Sequence, residues 1–250
     1  MKNKILLVGG GLLCYLLFLL AQLPADRLLA RLPLPPALQL DGVQGTVWQG
    51  RVDTVRWQRY SLHAVRWELL VSHLLRLEPA VALKFEDRNG LLGEAQVAWQ
   101  QGVVLRDVQL QADAGWLVMQ SPAPLPVVPA GTLTWRDGAL TVTPQGVCQS
   151  LAGRLIWQGA GVTSPFGPLD LDTVQAQLSC AKGRWQAEVK QSSTQLRTEG
   201  RAEIGNQGDY QVDAKLFPAS SLAAAYRQGI EMIGPRDSQG AVRLKQSGRL

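Results

Sequence analysis

Two histidines, three cysteines and twenty carboxylates are the side chains of this 250-residue chain with the chemistry for acid–base, metal or thiol work. His63 and His73 have no cysteine pair beside them, so the Cys/His spacing of a zinc site is missing. No G-x-S-x-G elbow, H-E-x-x-H helix or Walker loop occurs, which removes the common signatures of hydrolases, metalloproteases and nucleotide-binding enzymes. The acidic residues are spread over strand-like and turn-like stretches, and no acid–base couple can be assigned among them from spacing. Eight tryptophans could form ligand platforms, but on apolar strand faces such rings more often build core. The reading is no catalysis, no metal and no cofactor.

The 25 Lys and Arg residues outnumber the acids and give a net charge of +5. They are scattered, without the basic run or stripe that binds phosphodiester backbones, so nucleic acid is not expected as a partner.

The elements that would position these residues start with an apolar run. From Ile5 to Leu23 the sequence ILLVGGGLLCYLLFLLAQL carries no charge. As a helix it spans about 28 Å, close to the hydrocarbon thickness of a bilayer. It is longer than a signal-peptide core and lacks a small-x-small cleavage site after it, so an uncleaved anchor is expected over a secretory leader. Lys2 and Lys4 flank its start, which keeps residues 1–4 as a cytoplasmic tip and sends the remainder across the membrane. In a bacterium that makes a single-pass inner-membrane protein with its bulk in the periplasm. Residues 24–41, with Leu28, Leu29 and Leu32 before Pro33, Pro35 and Pro36, read as a short amphipathic turn and then a stiff juxtamembrane spacer.

Cys14 falls inside the span, leaving Cys148 and Cys180 in the exported part. Two cysteines in an oxidising compartment point to a disulfide, with two buried free thiols as the competing reading.

Residues 42–250 read as the periplasmic β domain. Period-two alternation is clear in Ala95-Val97-Trp99, Val174-Ala176-Leu178-Cys180, Trp185-Ala187-Val189 and Tyr210-Val212-Ala214-Leu216, each opposed by polar residues. Asn89-Gly90, Asp137-Gly138 and the GNQG at 205–208 suit tight hairpins between such runs. The expected fold is mainly β: a transmembrane helix, then an antiparallel, strongly twisted or curved meander or sandwich with a few short helices. Helical spacing is expected at 67–78 (WELLVSHLLRLE), 114–120 (AGWLVMQ) and 218–234, the last opened by Ser220 or Ser221 and closed by Gly234-Pro235. PAPLPVVP at 122–129 is the candidate divider between two lobes.

Glycine punctuates this pattern. GTVWQGRV (45–52) reads as a strand in which Gly50 permits a bulge, and GTLTW (131–135) and GRLIW (153–157) place a glycine four residues ahead of a tryptophan. Such a glycine either leaves room for a neighbouring ring or backbone, or belongs to the turn before its strand.

A basic start, one span ending near Pro24-Ala25, and LDGVQGTVWQGRV (40–52) together resemble the type II secretion system protein N family. AVRWEL (64–69), GTLTW, the two exported cysteines and FPASSLAAAYRQGIEMIG (217–234) extend the resemblance over nearly the whole chain. Its most specific block holds Gly45, Thr46, Val47, Trp48 and Gly50. The resemblance implies an accessory inner-membrane component of the machine that exports folded proteins from the periplasm, with inner-membrane platform or outer-membrane channel proteins as partners and no catalytic residues. A looser likeness to AsmA-like envelope proteins gives the alternative: a sheet whose apolar face binds the acyl chains of lipid.

Overall fold

Alternating apolar and polar residues present one dry and one wet face when the backbone is extended, and a chain rich in such runs folds by pairing them edge to edge. The computed structural model describes residues 2–31, 37–57, 60–74, 78–87, 90–119 and 127–249. Contacts divide the chain into two units, Met1–Asp87 and Arg88–Leu250.

The first unit opens with helix α1 (Lys2–Ala21) and the short α2 (Ala25–Leu29). Five strands follow: β1 (Leu38–Asp41), β2 (Gln44–Gly45), β3 (Gln49–Trp57), β4 (Tyr60–Leu69) and β5 (Ala80–Glu86), with the one-turn α3 (Val71–Leu74) before the last. β3 pairs antiparallel with β1, β2 and β4, and β4 pairs with β5. Val52 and Val65 face each other across β3 and β4, and both are buried. Among the described residues no helix is long and apolar enough to cross a membrane.

The second unit is an up-and-down antiparallel meander. Its strands are β6 (Leu92–Trp99), β7 (Val103–Asp113), β8 (Val128–Val142), β9 (Cys148–Ser164), β10 (Gly167–Ala181), β11 (Arg184–Ser192), β12 (Leu196–Ile204), β13 (Asp209–Pro218) and β14 (Val242–Arg249). Helix α4 (Ala114–Met119) follows β7, and α5 (Ala224–Ile233) follows β13. Each strand pairs with the next in sequence from β6 to β14. The registers line up two apolar rows on one face, one running Leu110, Trp135, Leu155, Ala176, Val189 from β7 to β11. Its neighbour runs through Leu133, Trp157 and Val174. The opposite face carries a lattice of ion pairs, with Arg201 bonded to Glu188 and Arg243 to Asp213. This is the one-wet, one-dry sheet that the alternation predicts, realised as a meander.

Several expectations are corrected by the backbone. GTVWQGRV is a hairpin and not one strand: Gly45 pairs with Gly50, and Thr46–Gln49 form the turn between β2 and β3. Gly45 takes φ +102°, which a side chain resists, and the two glycines let the facing backbones approach closely. Within WELLVSHLLRLE, Trp67–Leu69 complete the ladder against β5 and Val71–Leu74 is helical, while residues 75–77 lie outside the described residues. Asp137-Gly138 is a bulge inside β8 and not a hairpin. Helix α5 begins later than Pro218, and neither Ser220 nor Ser221 caps it; Ser221 donates instead to the Thr194 carbonyl. Leu38–Asp41, placed in the spacer by sequence, forms the edge strand β1. Leu32, Pro33, Pro35, Pro36, Asn89 and residues 122–126 of the expected divider lie outside the described residues.

Gly131 and Gly153 lie within β8 and β9, so they do not belong to turns. A Cβ on Gly153 would meet the Trp135 indole, and one on Gly131 would meet the carbonyls of Gln158 and Gly159. The first alternative holds and the turn reading does not: one glycine makes room for a ring, the other for backbone.

Candidate functional site

The residues of the GTVWQG block converge on the end of α1. A helix leaves its last carbonyls without intrahelical partners, and those groups need donors from elsewhere. Here the β2–β3 turn adds donors, beside the Leu23 amide that reaches the Leu20 carbonyl at 3.3 Å. The Trp48 indole Nε1 donates to the Leu20 carbonyl at 2.8 Å, and the Val47 amide donates to the Leu23 carbonyl at 3.0 Å. Pro24 forms an antiparallel bridge with Thr46 just beyond. The turn is held from behind: the Thr46 amide donates to the Gln49 carbonyl, and the Leu69 amide of β4 donates to the Trp48 carbonyl at 2.6 Å. Gly45 and Gly50 permit the hairpin, Thr46 closes it, and Val47 and Trp48 present donors to the helix end. The five block residues are thus one clasp.

Gly50 stands opposite Trp67 in β4, and a Cβ there would overlap the indole ring and the Gln44 carbonyl. Beside this contact opens a cavity of about 490 Å³, lined by Gln44, Gly45, Gln49, Gly50, Arg51, Arg66, Trp67, Glu68, Ala82 and Lys84. Arg51, Arg66 and Lys84 form a row of direct cross-strand partners over β3, β4 and β5. Arg51 donates from Nε and Nη2 to Gln44 Oε1, at 3.2 and 2.8 Å. Three cations therefore line the cavity against the one carboxylate of Glu68. Sequence reading did not single out this row, because only the strand register brings the three together.

The groups that might have carried other chemistry are not among the residues of the clasp. His63 Nδ1 lies 3.3 Å from the buried Asp87 Oδ1, an ion-pair distance whose geometry falls short of a hydrogen bond. His73 sits in α3. Among the described residues no group of three His, Cys, Asp or Glu side chains is arranged to hold a metal ion.

Cys148 and Cys180 are joined by a disulfide between β9 and β10, with their Cα atoms 5.9 Å apart. Cys14 is free and exposed on α1. The perturbed carboxyls lie on the wet face and its turns. Asp213 is held below the usual carboxylate range by hydrogen bonds from the Arg243 guanidinium, and Asp209 by its hydrogen bond from Arg184. Asp237 is lowered by the Ala241 and Gln239 amides that bond its carboxylate. These are structural pairs, remote in sequence from the clasp.

Residues 36–245 match the family described as Type II secretion system (T2SS), protein N. The chain is 37% identical to Type II secretion system protein N of Aeromonas hydrophila, with both chains covered completely. It is 32% identical to the protein of that name in Pectobacterium carotovorum subsp. carotovorum, again over the whole of both chains. For the protein of Vibrio cholerae serotype O1 the identity is 30%, over 97% of this chain and 98% of the relative. No solved structure matches. With a match of this extent, and relatives aligned end to end, the chain belongs to the type II secretion system protein N family.

Proposed function

We propose that the protein is an inner-membrane-anchored accessory component of the type II secretion system, supporting export of folded proteins through contacts with other components of that machine. The observation that carries this reading is the end-to-end similarity to type II secretion system proteins N. Residues 1–4 form the cytoplasmic tip, residues 5–23 the span and residues 24–250 the periplasmic part. The uncharged run Ile5–Leu23 behind Lys2 and Lys4 supports this topology. The clasp supports it too: Trp48, amphipathic and suited to the membrane interface, covers the Leu20 carbonyl where the run ends.

Contacts with the platform or the outer-membrane channel are drawn from the exported strands. The outer edge of β14 has no partner strand among the described residues, and an open edge accepts an added strand from another chain. The test has two parts. A reporter fused after Leu250 should be active only as an exported enzyme, and the purified protein should retain its N-terminus. Secretion components should co-purify with the full chain; a mature protein starting near residue 25, or isolation without any such component, would contradict the reading.

The apolar face of the second unit favours a second reading, a surface for acyl chains. Its members Trp135, Leu155, Trp157 and Val174 are half-buried rather than fully covered. Phospholipid retained at fixed stoichiometry, and lost when these residues become polar, would replace the first reading with this one.

A further inference from the structure

We infer that the cavity beside the GTVWQG clasp is a binding site for the phosphate of an anionic phospholipid in the periplasmic leaflet of the membrane that holds α1. The inference rests on the anchored topology proposed above.

The first argument is charge. Arg51, Arg66 and Lys84 occupy directly opposed positions on three neighbouring strands. Like charges placed directly opposite destabilise a sheet, so such a row calls for a counter-charge. Gln44 supplies only a neutral oxygen to Arg51. Arg66, in the middle, makes no ion pair among the described residues, and Glu68 is the one carboxylate that lines the cavity beside it. Lys84 already has an interaction within the chain, so the site depends on the two arginines. The planar fork of Arg66 matches phosphate oxygens two at a time, which an ammonium cannot do, and Arg51 keeps Nη1 beyond its bonds to Gln44.

The second argument is position. Arg51 directly follows Gly50, which with Gly45 closes the turn whose tip bonds Leu20 and Leu23. One strand residue advances about 3.4 Å, so the row starts within one or two residues of the turn. The headgroup layer on each side of a bilayer is roughly 5–8 Å deep. A helix that leaves the hydrocarbon near Leu23 therefore puts Arg51 and Arg66 at headgroup height. The volume, about 490 Å³, accommodates a phosphodiester with part of its glycerol. The two arginines would take the phosphate oxygens, with Gln49 as a neutral partner for a headgroup hydroxyl.

The experiment uses the full chain in mild detergent, followed by thermal unfolding with phosphatidylglycerol, phosphatidylcholine or inorganic phosphate at matched concentrations. Phosphatidylglycerol should raise Tm in a saturable way, and the other two should not. Arg66→Gln should need about tenfold more phosphatidylglycerol for the same rise, the loss expected for one charge-assisted pair. Arg66→Lys should recover part of it, and Lys190→Gln in β11 should respond like the wild type. Without lipid, Arg66→Gln should unfold no earlier than the wild type, since it breaks up the row of like charges. An equal rise with phosphatidylcholine, an equal rise with inorganic phosphate, or an unchanged response of Arg66→Gln would overturn the inference. Alkaline extraction of cell membranes separates the two readings. A chain that stays embedded but ignores phosphatidylglycerol loses the site and keeps the anchor. One that washes off yet still responds loses the anchor and keeps the site.

Discussion

Gly50 and Trp67 face each other across β3 and β4, and the ring occupies the volume a side chain at 50 would need. Gly50→Val should therefore lower stability by about 1–3 kcal/mol, the usual cost of forcing extra carbon into a packed site. Gly229 in α5 is the contrasting case, since nothing lies within 4 Å of a Cβ built there and its backbone is helical. Gly229→Ala should raise stability by about 0.5–1 kcal/mol through helix propensity and a less disordered unfolded chain. Paired denaturant titrations of both variants would check the opposite signs. Trp48→Phe keeps a ring but removes the donor to Leu20, and should cost about 1 kcal/mol. Increased protease cleavage between Pro24 and Arg31 in that variant would report the loosened clasp. At Gly131 and Gly153 the sequence left close approach and a turn start equally open, and only the pairing of β8 with β9 decides for close approach. Gly45 and Gly50 misled, since strand-favouring Thr, Val and Trp between them look like a strand until the Gly45–Gly50 pairing is seen.

At the scale of elements, the disulfide ties the start of β9 to the end of β10. Its separation of 32 residues corresponds to about 3–4 kcal/mol in the chain-entropy treatment. Substituting both cysteines by serine should lower the unfolding midpoint accordingly, and non-reduced peptide mass spectrometry should recover one Cys148–Cys180 cross-link. Strands β10, β11 and β13 could be read from alternation, since each places apolar residues on one face and polar or charged ones on the other. Segment 67–78 could not, because Trp67, Leu69 and Leu70 satisfy a helical stripe as well as a strand end. Pairing with β5 decides it, and that is a long-range fact. For the same reason the Arg51–Arg66–Lys84 row was invisible in the sequence. The wet face adds a pH dependence. Asp209, Asp213 and Asp237 have folded-state pKa values below their ordinary ones, so their contribution is complete above about pH 4–5. It is lost as pH falls through the lowered values. Thermal unfolding between neutral and acid pH should show a falling Tm below about pH 4, reduced in Asp213→Asn.

For the whole molecule, two β units follow a helix whose end is clasped by the first of them. The family and its mainly β character could be anticipated from residues 40–52 and from the strand pattern. The division of contacts at Asp87 could not, because the proline-rich 122–129 gives a stronger compositional signal than anything near 87. The central claim is that this chain serves the secretion machine through its exported strands. The most direct measurement is photo-cross-linking in intact cells from Lys245 and Ser247 on β14, both exposed, with every secretion component present at its native level. The account predicts specific adducts to an inner-membrane platform or outer-membrane channel protein, weakened when β14 is shortened. Recovery of phospholipid adducts alone, with no secretion component captured from either position, would contradict it.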